Sequence, residues 1–387
     1  MKSSRKPPSV LFYVQHLLGV GHLRRAALIS DALVKQGLDV HMVLGGEPVA
    51  AIDFVGANCH YLPAVRSDAG FSGLVDGGGL PLDEAFRQNR RKRLLALAQQ
   101  LTPAAIITEL YPFGRRQMRF ELRPLLEWAH RQPTRPLLVC SLRDILQQRR
   151  PEREQETLAL VRQYYDRVWV HGDSRLSPLA ASFTLADEIE DRTAYTGYVA
   201  PPAPETAPGP RRGVVVSAGG GAVGLQLLQT ALEAHRNGLL HDRPWTLITG
   251  PGLPASDYAR LQLQASAQGL ELIRFCRQFV QRLAGAELSI SQAGYNTVMD
   301  LIVSGVPSVL VPFAGEGETE QLERARALET GGRASLVTES DLDPERLAQA
   351  AKRALGLSHR LPPLPLDGAT NAAIDLQRLL DLRRNCA

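Results

Sequence analysis

Cysteine, methionine and tryptophan are scarce in this sequence, with 4, 4 and 3 copies among 387 residues. The cysteines Cys59, Cys140, Cys276 and Cys386 form no CxxC pair and have no histidine at zinc spacing. That excludes a disulfide-stapled scaffold and a zinc ribbon, and it suits a reducing compartment. Long apolar runs are missing as well, since nothing approaches the roughly 20 residues that span a bilayer. The N-terminal MKSSRKPPS followed by VLFYVQHLLGV has the polarity of a secretion signal. Gln15 and His16 break that apolar run and no small-residue cleavage site follows, so secretion is not expected. Nor does one sign of charge dominate. With 44 Lys and Arg against 40 Asp and Glu, the net charge of +4 is too small for this length to argue for a nucleic-acid partner.

At 44% hydrophobic and 22% charged residues, the chain can bury a large core, and it is too long for one ordinary domain. Short buried-type runs, each followed by a helical pattern, recur along its whole length. VLFYV, DVHMVL, AAIIT, PLLVCSL and RVWVHG fill the first half, and GVVVSAG, WTLITG, LELIRF, AELSIS and PSVLVPF the second. Strands alternating with helices predict parallel sheets with right-handed crossovers, an α/β class of fold. Between the halves, YVAPPAPETAPGPRR is too rich in proline to hold a helix or strand and reads as a linker. The expected organisation is one doubly wound domain over residues 1–198, a linker over 199–212, a second domain over 213–366 and a terminal helix over 367–387.

In open parallel sheets, ligands sit beyond the C-terminal ends of strands, where loops lead into helices. His22 lies in such a loop, GVGHLRRA, where Gly19 and Gly21 permit tight turning and close ligand approach. A histidine beside a helix start tends to stay neutral, as a general base requires, although capping the helix would explain it equally well. The second half repeats the pattern at GVVVSAGGGAVGLQLL, where the amides of Gly219, Gly220 and Gly221 form an anion site suited to a diphosphate, or simply a tight turn. No GK[ST] follows and the spacing is not that of a dinucleotide fingerprint. Glu109 and Tyr111, after AAIIT, occupy another strand end on the presumed ligand side, with Asp144 in SLRDIL as a second carboxylate. RQNRRKR (Arg87 to Arg93) and GRRQMR (Gly114 to Arg119) fit an anionic acceptor or an acidic lipid surface, although a solvated helix face is the simpler reading. No aromatics interleave them at stacking spacing. The tight pair Asp341 and Asp343 precedes a proline and a helical pattern, where capping accounts for it, so no metal site is expected.

SQAGYNTVMD, the following SGVPSVLVPF run and EQLERA, in that order, resemble the donor-binding region of GT-B glycosyltransferases, particularly glycosyltransferase family 28. The opening GVGHLRRA matches the glycine-histidine loop of the same superfamily. The resemblance covers most of the second domain, but only the first loop and the general strand order of the first. It implies two Rossmann-like domains facing a central cleft and an enzyme that moves a sugar from a nucleotide-diphosphate donor, most simply of the UDP type, to a small-molecule or lipid-linked acceptor. By that resemblance the helix led by Gln292, Ala293, Gly294, Asn296 and Thr297 faces the donor phosphates, and Asp300 meets the ribose where relatives commonly carry glutamate. Glu320 and Gln321 read the sugar hydroxyls, where the lipid II-forming member has two glutamines, and Phe279 and Val280 flank the base. The acceptor side is then Gly19, Gly21, Tyr111 and Asp144, with His22 as general base partnered by Glu109. Inversion, no cofactor or metal, and a cytoplasmic location, with peripheral contact at the inner membrane face as the alternative, complete what it implies. The histidine loop is also similar to that of a UDP-sugar hydrolase, in which His22 would activate water, and a silent sugar-nucleotide-binding partner protein is the remaining alternative.

Overall fold

The structure, a computed structural model, describes residues 7–17, 21–50, 52–67, 73–204, 209–219, 224–313, 315, 319–357 and 363–386. Gly19, Gly220 and Gly221, singled out above, lie outside the described residues. The chain divides into two compact units, one of residues 1–174, 178–199 and 365–387 and the other of residues 175–177 and 200–364.

In the first unit the order is β1 (Ser9–Val14), α1 (Gly21–Lys35), β2 (Asp39–Leu44), β3 (Asn58–Tyr61), a small hairpin of β4 (Val65–Ser67) and β5 (Leu74–Asp76), α2 (Glu84–Leu101) and β6 (Ala105–Glu109). It continues through α3 (Arg119–His130), β7 (Leu137–Arg143), α4 (Pro151–Tyr164), β8 (Arg167–His171) and β9 (Thr193–Tyr195). The strands form one seven-stranded sheet in the order β3-β2-β1-β6-β7-β8-β9, in which every pairing is parallel. Alternation along β1 divides the core. Val10, Phe12 and Val14 pack towards α1, whereas Leu11 and Tyr13 join the opposite layer with residues of α2, α3 and α4. Both faces are thus covered, which is why these strands read as unbroken apolar runs.

The second unit contains β10 (Val214–Ser217), α5 (Leu225–Arg236), β11 (Trp245–Ile248), α6 (Ala255–Ala267), β12 (Glu271–Ile273), α7 (Phe279–Gly285) and β13 (Leu288–Ser291). After these come α8 (Tyr295–Ser304), β14 (Ser308–Leu310), α9 (Glu320–Thr330), β15 (Ser335–Leu336) and α10 (Pro344–Leu355). Its six strands are also parallel, in the order β12-β11-β10-β13-β14-β15. Asp343 caps α10, its carboxylate accepting from the Arg346 amide at 2.8 Å, while Asp341 pairs with the Arg346 guanidinium. The last helix, α11 (Gly368–Cys386), belongs to the first unit and packs Ala372, Ala373, Leu376 and Leu380 into the layer formed by Leu23, Ala26, Ile29 and Leu33 of α1. Among the described residues, no helix is long and apolar enough to cross a membrane.

The basic run on α2 is not a uniformly solvated face. Arg90 is wholly buried, and its guanidinium donates to Glu121 of α3 at 2.9 and 2.6 Å, to the carbonyls of Gly45 and Pro63 at 2.8 and 2.5 Å, and to Gln15 Oε1 at 3.0 Å. Tyr13 adds a 2.6 Å donation to the same carboxylate. Gly45 is required here, because a Cβ on it would stand 2.0 Å from Gln15 Oε1 and 2.8 Å from the Arg90 guanidinium.

Candidate functional site

Both sheets reverse their strand order once, between β1 and β6 in the first unit and between β10 and β13 in the second. At such a switch point the loops leave in opposite directions and open a crevice beyond the strand ends. In the first unit, α1 begins at Gly21 and carries His22 in its first turn, while Glu109 ends the neighbouring strand β6. His22 Nδ1 lies 2.7 Å from Glu109 Oε1. The imidazole is 17% exposed and the carboxylate 1%, so one edge of the ring reaches solvent while its partner does not. An ionised carboxylate only accepts, so Nδ1 carries the proton and Nε2 presents the lone pair.

Charges around this pair decide its protonation. Burial, reinforced by Arg115 and Arg25 and opposed by Glu109, pulls His22 down to about 4. Burial alone would raise Glu109, but His22, Arg25 and Arg115 outweigh it and hold the carboxyl far below the usual range. The pair is therefore neutral imidazole beside carboxylate at neutral pH. Arg115 reaches it through the turn after β6: Leu110 and Arg115 both adopt left-handed backbone, with φ of 67° and 55°, and the Gly114 amide closes on the Leu110 carbonyl at 2.8 Å. The Arg115 Nε then donates to the Gln15 carbonyl at 2.8 Å, tying this turn to the end of β1.

Tyr111, expected on the acceptor side, is instead a core residue. It is 3% exposed and packs among Phe113, Tyr164 and Tyr165, and its carbonyl accepts from Thr108 Oγ1 at 2.9 Å and the Tyr165 hydroxyl at 3.0 Å. The sharp turn after Glu109 rolls the tyrosine back under the sheet. Asp144 is buried just past the end of β7, the strand beside β6. The sequence reading missed a wholly buried histidine on the same row of strand ends, His171 of β8. Its Nδ1 meets Thr196 Oγ1 at 2.8 Å and its Nε2 meets Ser141 Oγ at 2.8 Å, and Ser141 stands opposite Glu109 in the sheet. Burial and Arg25 lower His171 to about 3. The only local signal was a histidine ending an apolar strand, which has many explanations.

Histidines held neutral predict a stability profile, since burial lowers His16 and His60 of this unit as well as His22 and His171. Between pH 6.5 and 4 the unfolded chain takes up protons at these positions that the folded chain refuses, so stability of the first unit should fall as pH drops through that window. Urea midpoints measured at pH 7 and pH 5 test this, with His171→Gln expected to shrink the difference. Equal midpoints for the wild-type chain would refute it.

In the second unit, Gly219 follows β10 with φ of +73°, and a Cβ there would sit 3.1 Å from Gln292 Oε1, so conformation and contact both call for glycine. The Gln292 amide donates to the Ser217 carbonyl at 3.1 Å across the switch point. Its side chain is 4% exposed, with Nε2 lacking a hydrogen-bond partner. Gly294 precedes α8 and gives it no side-chain cap, so Tyr295, Asn296 and Thr297 form the first turn of a helix whose N-terminal dipole favours an anion. Gln321 Oε1 accepts from the amides of Ala293 at 3.1 Å and Phe313 at 3.2 Å, pinning the loops after β13 and β14 together. Glu320 behaves differently from its neighbour: it is 5% exposed and accepts from Arg324 Nη2 at 2.9 Å, while Arg324 Nη1 bonds the Ala293 carbonyl at 3.0 Å. Asp300 is buried on α8, and half-buried Phe279 and buried Val280 open α7. Among the described residues, no group of three or more His, Cys, Asp or Glu is arranged to hold a metal.

Comparison with known proteins gives this arrangement a family. Residues 215–364 match the glycosyltransferase family 28 C-terminal domain. Over 109 residues the chain is 34% identical to the UDP-N-acetylglucosamine--N-acetylmuramyl-(pentapeptide) pyrophosphoryl-undecaprenol N-acetylglucosamine transferase of Rhizobium etli, covering 27% of this chain and 29% of that protein. Over 164 residues it is 32% identical to the transferase of the same name from Brucella anthropi, covering 42% and 44%. The chain thus spans less than half the length of the curated relatives it matches. Among solved structures, the calicheamicin glycosyltransferase CalG4 matches with a TM-score of 0.60 at 15% identity over 98% of both chains. Acinetobacter baumannii MurG matches with a TM-score of 0.58 at 15% identity over 98% of this chain and 100% of its own. At such identities the likeness is one of fold. Residues 215–364 therefore match the glycosyltransferase family 28 C-terminal domain, and the chain as a whole has the GT-B fold of two Rossmann-like units.

Proposed function

We propose that this chain is a glycosyltransferase that moves a sugar from a nucleotide-diphosphate donor, of the UDP type, to the hydroxyl or amine of a small-molecule or lipid-linked acceptor. The observation that carries this reading is the His22–Glu109 pair, 2.7 Å apart at the switch point of a unit that shares its chain with a family 28 domain. The curated relatives of that domain are named as UDP-N-acetylglucosamine-dependent transferases, which supports the donor class. In this reading His22 Nε2 takes the proton from the acceptor, whose oxygen or nitrogen attacks the anomeric carbon from the side opposite the leaving nucleoside diphosphate. The bond to the diphosphate breaks as the new glycosidic bond forms, so configuration inverts. Glu109 keeps the ring oriented and stabilises the imidazolium that results.

The departing diphosphate carries the charge that develops, and the reading assigns its stabilisation to backbone amides at the start of α8 and at the Gly219 turn rather than to a metal. The reading adds Gln292 Nε2, buried without a hydrogen-bond partner, as a side-chain donor. The same reading gives a cytoplasmic enzyme working on a soluble acceptor or, peripherally, at the inner membrane face.

A thermal-shift screen against UDP, GDP, TDP and their sugar conjugates tests the donor. Selective binding to the folded state at about 100 times Kd stabilises by about 2.7 kcal/mol, which is a readable rise in melting temperature. A uridine nucleotide is expected to give the largest rise. A folded protein indifferent to every conjugate would overturn the donor assignment, and hydrolysis of a conjugate without any acceptor would turn the reading towards a hydrolase.

A further inference from the structure

Helical spacing puts Arg25 three residues after His22, on the same face of α1. Its neighbour Arg24 has the same chemistry and a different phase. Arg25 is 3% exposed, a burial that a guanidinium tolerates only with a counter-charge. That charge is Glu109, and the contact is unusual in form. Arginine commonly takes both oxygens of a carboxylate in a fork. Here Arg25 Nη2 donates to Oε1, the same oxygen that receives His22 Nδ1, and the two nitrogens approach to 3.4 Å, while Oε2 is buried without a hydrogen-bond partner. One carboxylate oxygen thus serves two donors, one permanently charged and one that gains charge only when the base is protonated.

We propose that Arg25 is a positioning residue for sugar transfer: by sharing Glu109 Oε1 with His22 Nδ1, it holds the carboxylate ionised and in line with the imidazole and keeps His22 a neutral base at mildly acidic pH. The inference rests on the reading of His22 as the general base. Its physical content is a competition. A carboxylate beside an imidazole ordinarily favours the imidazolium; burial opposes that most, and Arg115 and then Arg25, whose guanidinium sits on the same oxygen, offset part of the carboxylate's field. The charged and titratable groups facing His22 are Glu109 from β6, Arg25 from its own helix and Arg115 from the turn after β6, with His171 of β8 against the Arg25–Glu109 pair. Of these, Arg25 alone touches both members of the dyad through hydrogen-bonding atoms.

The test is a histidine-ring NMR titration of the full chain, with His22 assigned among the nine histidines by its loss in His22→Gln, in the wild type, Arg25→Met and Arg25→Lys. Removing the charge should raise the His22 midpoint measurably, and lysine, which restores charge without the fork geometry, should return it most of the way. The acid limb of kcat/KM should move up with it, so that Arg25→Met loses activity near pH 5 that the wild type keeps. His171, which Arg25 also lowers, should follow in the same direction, whereas a generally loosened fold would move histidine signals remote from Arg25 as well. A His22 midpoint unchanged in Arg25→Met overturns the proposal whatever the enzyme does. A midpoint that rises while the acid limb stays put leaves the Arg25 coupling intact and removes His22 from its role as base, which would end both the positioning role and the mechanism it serves.

Discussion

Replacing His22 with alanine is expected to lower kcat for transfer by about 10²- to 10⁴-fold while leaving nucleotide binding unchanged, the range that general-base assistance contributes. Two features lead to this expectation. The ring is the only part of the dyad with an exposed edge, and its buried edge is occupied by Glu109, which leaves a single nitrogen for the acceptor. Alanine leaves in place Leu23, Ala26 and Ile29, the residues through which this helix packs into the core. Glu109→Gln should fall in the same direction. It keeps the shape of the side chain but loses the charge that holds Nδ1 protonated and that stabilises the imidazolium. Steady-state kinetics with whichever nucleotide sugar stabilises the protein, alongside a nucleotide thermal shift for each variant, separate chemistry from binding. Transfer by His22→Ala within tenfold of the wild type would remove the histidine from the mechanism.

The largest stability effect should come from the buried pair of Arg90 and Glu121. Glu121→Ala strands a guanidinium at 0% exposure and leaves the Tyr13 hydroxyl without its acceptor, and the cost should be about 3–5 kcal/mol. The loss should not remain local. Arg90 also grips the carbonyls of Gly45 and Pro63 and the side chain of Gln15, so it fastens the segments after β2 and before β4 to the end of β1, next to the histidine loop. Replacing both partners, as in Arg90→Met with Glu121→Leu, removes the unpaired charge and should recover much of the loss, because similarly sized apolar residues can substitute for a buried ion pair. Urea unfolding of the three proteins decides the matter. A single-variant loss under about 1 kcal/mol, the range of solvated ion pairs, would show that the pair is not sealed from water.

Arg90 also shows where local reading ran short and how it need not have. RQNRRKR looks like a solvated basic face by composition, but Leu94 and Ala98 follow Arg90 at four-residue intervals and are buried, so the helical phase already pointed that arginine inward. Arg25 beside Arg24 is harder to read. Nothing in two adjacent arginines says which one finds a buried carboxylate 84 residues away. Tyr111 failed for a different reason: position after a strand indicates the ligand side only if the chain runs straight on, and here it turns sharply at Leu110. Glu320 and Gln321 are neighbours by sequence and divide by environment, one paired with Arg324 and the other joining two loops through its carbonyl oxygen.

Local patterns were enough for the parallel α/β class, for the strands that carry the two switch points and for His22 at a helix start, because burial on both faces writes itself as unbroken apolar runs and glycine loops mark where those runs stop. The meeting of His22 with Glu109 and Arg25, the buried chain from Ser141 through His171 to Thr196, and the inward turn of Arg90 were settled only when strands far apart in the chain lay side by side. A charge or a lone pair acts over a few ångströms, and which groups come within that distance is a property of strand order and register, not of neighbours along the chain.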